Sequence, residues 1–308
     1  MESTEHETAH SRVFVVLNPN SGTCDRDTVV AAFDRYFGGP VTTYRVHEPV
    51  HDDALADRVS EALAEGCDLV VAAGGDGTIS GVAQGLLGTD TPLGILPLGT
   101  ANVLARELGI PVDLEGACAL LAGPHSFTKI DAMTVDGKTY FTQVGIGIDA
   151  LMIRDTANEH KRRFGRLAYL WTAARSLVGF RPRQFLITVD GREVRKRASQ
   201  VLVANSGMLG QPPFRWGPDI RPDDGVIDVC VVRVRSLVDY ARIGWNVVRN
   251  RHRQDPGVSY LKARRGVVVA TVSPKPLPVQ GDGEIIGETP VEVKLVPGAV
   301  RVAVPRRA

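Results

Sequence analysis

From Arg12 onward, short apolar runs alternate with amphipathic stretches. Residues 13–17, 41–46, 69–73 and 93–96 read as strands, and residues 26–37, 52–65 and 79–87 as helices. Strands that are apolar throughout and separated by helices predict an α/β domain, a parallel sheet with helices on both faces. In such a sheet ligands lie at the carboxyl ends of the strands. Past a helix near 114–121 the pattern changes at about Thr128. Apolar runs now follow one another closely, and Asp136-Gly137 and Asp190-Gly191 carry the hairpin signature. The second part is therefore predicted to be mostly antiparallel and β-sandwich-like, with helical insertions near 149–159, 165–178 and 236–250. The boundaries so drawn are a disordered tail at 1–11, an α/β domain at 12–127, a β-rich domain at 128–304 and a tail at 305–308. The closing strands, 291–295 and 299–304, leave open which domain they join.

A chain of 308 residues exceeds the usual single core, which agrees with two domains. Composition is that of an ordinary globular protein, but charge is not evenly spread. Residues 1–150 carry a balance of −13 and residues 151–308 a balance of +14, which the total of +1 hides. The basic half suits an anionic partner such as a membrane surface, or a complementary fit to the acidic half. Cys24, Cys67, Cys118 and Cys230 lie far apart with no paired spacing, which argues against a zinc site or a disulfide framework and for a reducing compartment. No apolar segment is long enough to span a bilayer, and residues 1–10 lack a signal-peptide core. The expected location is cytoplasmic, with any membrane contact peripheral.

Chemistry concentrates where the apolar run Val70-Val71-Ala72-Ala73 breaks into Gly74-Gly75-Asp76-Gly77-Thr78. Glycines at a strand-to-helix turn let backbone approach a ligand, and the helix start behind them points N–H groups outward, the geometry that holds phosphate. A tight turn that merely needs glycine is the alternative. Two further loops, Asn18-Pro19-Asn20-Ser21-Gly22 and Pro97-Leu98-Gly99-Thr100-Ala101-Asn102, leave the same predicted sheet edge, and the three converge on one site. No P-loop lysine motif and no His-Arg-Asp kinase loop occurs. Gly145-x-Gly147-x-x-Ala150 fits a dinucleotide fingerprint, but a basic helical region follows it rather than a strand ending in an acidic residue.

These motifs, with Gly145-x-Gly147-x-Asp149-Ala150, Pro222-Asp223-Asp224-Gly225 and Gln280-x-Asp282-Gly283-Glu284, follow one another as in the soluble diacylglycerol kinase family. That family is the bacterial branch of the lipid kinases that include sphingosine and ceramide kinases. The resemblance runs from about Val13 to Val304. It implies an ATP-dependent kinase that phosphorylates a lipid hydroxyl, most simply that of diacylglycerol, with nucleotide on the N-terminal domain and lipid entering between the domains. Asn18, Pro19, Asn20, Ser21 and Gly22 would cradle nucleotide together with Gly74, Gly75, Asp76, Gly77, Thr78, Ile79 and Ser80, and His47, Thr100 and Asn102 would complete the site. Asp76 would contact the catalytic magnesium or its waters, and Glu284, with Asp282 beside it, would be the base. A second, structural magnesium would sit on Asp224 and the carbonyls of Arg221 and Val226.

Phosphoryl transfer asks for positioning and charge cancellation by backbone N–H groups and Mg²⁺ on one or two carboxylates, which the motifs supply. Asp282-Gly283 and Asp223-Asp224-Gly225 are also explained as hairpin turns. The chain departs from its relatives at His47, where a threonine is common, at Ser80, where an asparagine is, and at 206–214, which lacks a glycine pair. The basic clusters His160-Lys161-Arg162-Arg163-Phe164-Gly165-Arg166 and Arg192, Arg195, Lys196, Arg197 are expected either to meet the membrane that holds the lipid or to be solvated faces. No nucleic-acid motif accompanies them, and a homodimer is a candidate assembly. The alternatives are a kinase of NAD and a non-catalytic lipid-binding protein on a kinase fold.

Overall fold

The chain divides into two units, Met1–Asp131 with Pro297–Ala308, and Ala132–Val296. The computed structural model describes residues 10–22, 25–39, 42–50, 53–157, 182–208, 214–217, 219–249 and 251–306. The tail at 1–9, the helix expected at 165–178 and the basic cluster at 160–166 lie outside the described residues.

In the first unit β1 (Arg12–Leu17), β2 (Thr43–His47), β3 (Leu69–Gly74) and β4 (Leu93–Pro97) run parallel in the order β2-β1-β3-β4. The β-branched and aliphatic residues of β1 and β3 are buried on both faces, as a sheet covered on two sides requires. Val13, Val15, Leu17, Leu69 and Val71 pack against Phe33 of α1 (Arg26–Phe37) and Leu121 of α5 (Leu114–Ala122). Asp25 and Asp113 cap these two helices through the N–H groups of Thr28 and Gly116. On α3 (Asp76–Gly85), a Cβ at Gly85 would lie 2.6 Å from Val59 of α2 (Leu55–Ala64), so glycine sets the close approach of that pair.

Several elements differ from the hydropathy pattern. Strand β2 ends at His47, and α3 starts at Asp76 rather than at residue 79. Gly75 is extended and its carbonyl already accepts the Ile79 N–H at 3.0 Å, so Asp76, Gly77 and Thr78 form the first helical turn. A five-residue helix, α4 (Val103–Glu107), is too short to show a helical period.

The chain enters the second unit along β5 (Ser126–Val135) and continues through β6 (Lys138–Tyr140), β7 (Gln143–Gly147) and α6 (Ile148–Ala157). After β8 (Arg183–Val189), β9 (Arg192–Ala198), β10 (Gln200–Ala204) and β11 (Ile227–Val232) comes α7 (Leu237–Val248). Strands β12 (Val258–Ala263), β13 (Gly266–Thr271), β14 (Pro278–Gly281), β15 (Glu284–Glu288) and β16 (Val291–Val304) complete the chain. One antiparallel sheet has the order β12-β11-β10-β7-β14-β15. In the other, β8 lies between β9 and β13, and β13 pairs with the first part of β16. Val144, Ile146, Val201, Val203 and Val229 of one sheet and Phe185, Ile187, Val267, Val269 and Val293 of the other share one core, a sandwich. The expected two closing strands are a single strand: Val291 pairs with Val269 of the sandwich, while Val302 pairs with Leu93 of the first unit's sheet.

Asp136, Asp190 and Asp282 have φ of 49°, 48° and 46° and each is followed by a glycine at positive φ, the double left-handed geometry of tight hairpins. The glycine pair around Ile146 belongs to β7, which pairs antiparallel with β10 and β14, so no parallel dinucleotide unit forms there.

Candidate active site

The three loops leaving β1, β3 and β4 are tied to one another. Asn18 Nδ2 donates to Thr78 Oγ1 at 3.0 Å, and the Leu98 N–H donates to the Gly74 carbonyl at 2.9 Å. Gly22, at φ 76°, lies so close to the Leu98 carbonyl that a Cβ would run into it. A Cβ on Gly99 would fall 2.6 Å from Gly75 Cα. Asp76 Oδ1 accepts the Val103 N–H at 2.7 Å, which binds the start of α3 to the start of α4. Asn18, Ser21, Gly22, Gly74, Gly75, Asp76, Thr78 and Asn102 are thus brought together, and Pro19, Asn20, Gly77 and Thr100 are exposed around them. A Cβ at Gly77 would meet nothing within 4 Å, so the helix start faces open space.

Two of the expected residues sit differently. Ile79 is fully buried and its N–H is spent on Gly75, so it offers a ligand neither side chain nor donor. His47, at the carboxyl end of β2, bonds through Nε2 to Asp53 Oδ2 at 2.5 Å, and Arg58 reaches the same carboxylate at 3.3 Å. The His47 bond and then Arg58 hold the Asp53 carboxyl below the usual range against the effect of its own desolvation. Ser80 is half-buried on α3.

Asn102 has a left-handed backbone at φ 49° and is 3% exposed. Its amide donates to the carbonyls of Pro97 and Gly99 at 3.1 and 2.8 Å, whereas its Oδ1 is buried with no hydrogen-bond partner. A buried acceptor left unfilled costs about 1–3 kcal/mol, so this oxygen suits a donor or a hard cation brought by a ligand. Among the described residues no group of three or more His, Cys, Asp or Glu is placed to hold a metal. Magnesium bound through substrate phosphates needs only one or two carboxylates, so Asp76 with the Asn102 oxygen fits it in kind.

In the second unit the Asp282-Gly283 turn joins β14 to β15 and is clamped from several sides. The Asp282 carboxylate accepts the N–H groups of Phe141, Thr142 and Gln143 at 2.9, 3.0 and 3.0 Å and the Thr142 hydroxyl at 2.5 Å. Buried Gln280 accepts the Gly283 N–H at 3.0 Å and donates to Asp149 Oδ2 at 3.1 Å. Burial pushes the Asp149 carboxyl up to about 6, despite the bonds it accepts from Ala150 and Gln280. Glu284, which follows Gly283 and pairs with Gly281 across the turn, is exposed, and its side chain makes no hydrogen bond or ion pair among the described residues. The sequence motif marks Gln280, but its role as the link between Asp149 and the turn is a tertiary fact; its one outward signal is an uncharged polar residue inside the short strand Pro278-Val279-Gln280-Gly281.

At the Asp-Asp-Gly turn, Asp224 Oδ1 accepts the Val226 N–H at 3.1 Å, and Arg221 pairs with Asp223 at 2.8–2.9 Å. Gly225 has φ 68°, so a tight turn before β11 accounts for the glycine. Arg221, Asp224 and Val226 lie in this one turn, and only Asp224 brings a carboxylate to the set. Nearby, Asp228 is 1% exposed with neither oxygen hydrogen-bonded, and desolvation pushes its carboxyl up to about 6. Of the departure at 206–214, residues 209–213 lie outside the described residues. The second basic cluster, Arg192, Arg195, Lys196 and Arg197, is on β9, an edge strand of the sandwich.

Residues 12–135 match the family model described as the diacylglycerol kinase catalytic domain, and residues 142–304 that of the YegS C-terminal NAD kinase beta sandwich-like domain. A diacylglycerol kinase of Bacillus subtilis (strain 168) is 31% identical over 250 residues, 80% of each chain. An uncharacterized protein of Synechocystis is 30% identical over 244 residues, 78% of this chain but only 56% of that protein, so the chain spans little more than half of that relative. The crystal structure of a diacylglycerol kinase from Bacillus anthracis str. Sterne covers 97% of this chain and 98% of its own at a TM-score of 0.73 and 20% identity, a likeness of fold. The motif order, the two-unit architecture and the match to the Bacillus subtilis protein agree, and the chain belongs to the diacylglycerol kinase family, a family of kinases with an alcohol acceptor.

Proposed function

We propose that the protein transfers the γ-phosphate of ATP to the hydroxyl of diacylglycerol or a related lipid, giving a lipid phosphate and ADP. The observation that carries this reading is the start of α3, where three strand-end loops are locked together around the bare Gly77 and the carboxylate of Asp76. Unpaired N–H groups at a helix start attract phosphate oxygens, and the loops from Asn18 to Gly22 and at Thr100 would flank the nucleotide. Magnesium, when bound, would offset phosphate charge, with Asp76 and Asn102 as candidate oxygen donors on this chain.

Glu284 is the base in this reading. Its carboxylate takes the proton of the lipid hydroxyl as the oxygen–phosphorus bond forms and the bond to the leaving ADP breaks. Asp282 acts by position: with its oxygens occupied by Phe141, Thr142 and Gln143 it holds the turn that presents Glu284. Asp224 with the carbonyls of Arg221 and Val226 is retained as a candidate structural magnesium set, supported by the motif alone. A lipid acceptor calls for a cytoplasmic protein that visits the membrane surface, and among the described residues no helix is long and apolar enough to cross a membrane.

The competing acceptor is NAD, favoured by the NAD kinase beta sandwich-like description of the second family model. Lipid phosphate formation by wild-type and Glu284→Gln protein, with Mg²⁺ and ATP, tests the reading. A variant that melts like wild-type but turns over about 10²–10⁴-fold more slowly supports Glu284 as the base. Full activity in that variant removes it from the mechanism.

A further inference from the structure

Helix α7 buries one side and leaves the other bare. Ile243 and Val247 sit in a core cluster with Leu202, Trp216 and Val258, and the capping box of Ser236 with Asp239 fixes the helix start. On the opposite side Val238, Trp245 and Val248 are 74%, 60% and 50% exposed, and Ala241 and Gly244 between them are exposed as well. At helical spacing these five residues span an arc of about 120° that contains no charge. No other described helix exposes more than one large hydrophobic side chain.

Cations flank this helix along the chain. Arg249 stacks over the Trp245 ring at 5.3 Å, Arg233 and Arg235 precede the helix, and Arg251 follows it. All four are exposed and none of their guanidinium groups pairs with a carboxylate among the described residues, although the Arg235 backbone N–H donates to Asp239; Arg242, by contrast, is tied to Asp239 and Asp255. A second copy of the chain would bring like charges together on such a face. An anionic bilayer instead matches both parts, because tryptophan settles at the headgroup level and arginine reaches lipid phosphates while its stem lies on apolar surface.

We propose that the outer face of α7 docks the protein on an anionic lipid bilayer, with Trp245 and Val248 entering the interface and Arg233, Arg235, Arg249 and Arg251 meeting the phosphates. The choice of a bilayer rests on the lipid-acceptor reading above, whereas the exposed face does not. The edge strand β9 is the rival surface: its cations also serve to discourage edge pairing.

Sedimentation of the full chain with vesicles of phosphatidylcholine, with and without phosphatidylglycerol, tests this without ATP. Wild-type protein is expected to partition onto the anionic vesicles preferentially. Trp245→Ser should lower that partitioning about tenfold, the scale of burying one large apolar side chain. Arg249→Glu with Arg251→Glu should lower it at least about 25-fold, since each cation near the surface is worth about fivefold. Arg195→Glu with Arg197→Glu should change it much less. The α7 variants are also expected to keep wild-type rates on a dispersed short-chain acceptor and to lose rate on vesicle-borne lipid. Equal binding of wild-type and α7 variants, equal partitioning onto neutral and anionic vesicles, loss of binding confined to the β9 variant, or a change of oligomeric state in Trp245→Ser would overturn the proposal. A protein that binds vesicles through α7 yet phosphorylates no lipid would refute the kinase reading and leave the docking surface standing.

Discussion

The carboxylate of Asp76 accepts the backbone N–H of Val103 at 2.7 Å, so the first residue of α3 also caps α4. One side chain thereby joins the two loops that follow β3 and β4. Its charge and its hydrogen bond are separable. Asp76→Asn keeps an acceptor for Val103 and should unfold within a few tenths of a kcal/mol of wild-type, whereas Asp76→Ala loses the cap at about 1 kcal/mol. Both should lose lipid phosphorylation by about two orders of magnitude or more, because a neutral side chain would hold the magnesium that offsets phosphate charge more weakly. Urea denaturation beside turnover measures the split; a fully active Asp76→Asn would show that the cap, not the charge, matters.

Gly77 and Gly99 separate binding from folding. Gly77 has room for a methyl group and lies on a helix, so Gly77→Ala should be stable to within about 1 kcal/mol. That methyl would stand where the phosphate approaches, and MgATP should then raise the melting temperature less than it does for wild-type. Gly99→Ala forces its Cβ against Gly75 and the Asn102 oxygen, and should cost about 1–3 kcal/mol besides weakening nucleotide binding. Undiminished stabilisation of Gly77→Ala by MgATP would move the phosphate site elsewhere.

The clamp on Asp282 predicts a structural as well as a kinetic phenotype. Asp282→Ala strands the N–H groups of Phe141, Thr142 and Gln143 and should destabilise the protein by about 2–3 kcal/mol, while Thr142→Val removes one of the bonds and should cost about 1 kcal/mol. Thermal denaturation would record both. An Asp282→Ala protein as stable as wild-type would mean that the turn is held without its carboxylate.

Asp149 gives a pH signature of definite sign. Burial raises its carboxyl from 3.8 to about 6, so between those values the folded state binds more protons than the unfolded one. Its charged form therefore subtracts from stability in full above about pH 6, and the cost fades as pH falls toward 3.8. Asp149→Asn keeps an oxygen for Gln280 and carries no charge, so it should gain stability over wild-type at pH 7.5 and lose that advantage by pH 4. Urea midpoints at the two pH values test this; a difference between the proteins that does not change with pH would place the Asp149 carboxyl at its ordinary value.

How much of this is visible in the chain depends on how local the physics is. The apolar runs of β1, β3 and β4 and the glycines that end β3 are local, and they announce both the parallel sheet and the phosphate-type turn. The true start of α3 is not, because aspartate, glycine and threonine are poor helix formers and read as loop; packing of Ile79 and Val82 overrides that propensity. Asn102 is read as part of a motif, but its buried, unfilled oxygen appears only when Pro97 and Gly99 fold back on it. Asp282 reads as a member of the catalytic motif, with a hairpin aspartate as the alternative. It forms a hairpin turn whose carboxylate is taken by backbone groups about 140 residues earlier in the chain, a relation no local pattern carries. The exposed face of α7 is likewise invisible beforehand, since Val238, Trp245 and Val248 look like core residues until Ile243 and Val247 are seen to take that place.

The most direct measurement supplies γ-labelled ATP and Mg²⁺ to the purified protein with diacylglycerol and NAD present together at equal concentration, and separates the products by chromatography. Label is expected in the lipid phosphate and none in NAD. Label in NAD, or ATP hydrolysis with no labelled lipid, would contradict the lipid-acceptor reading.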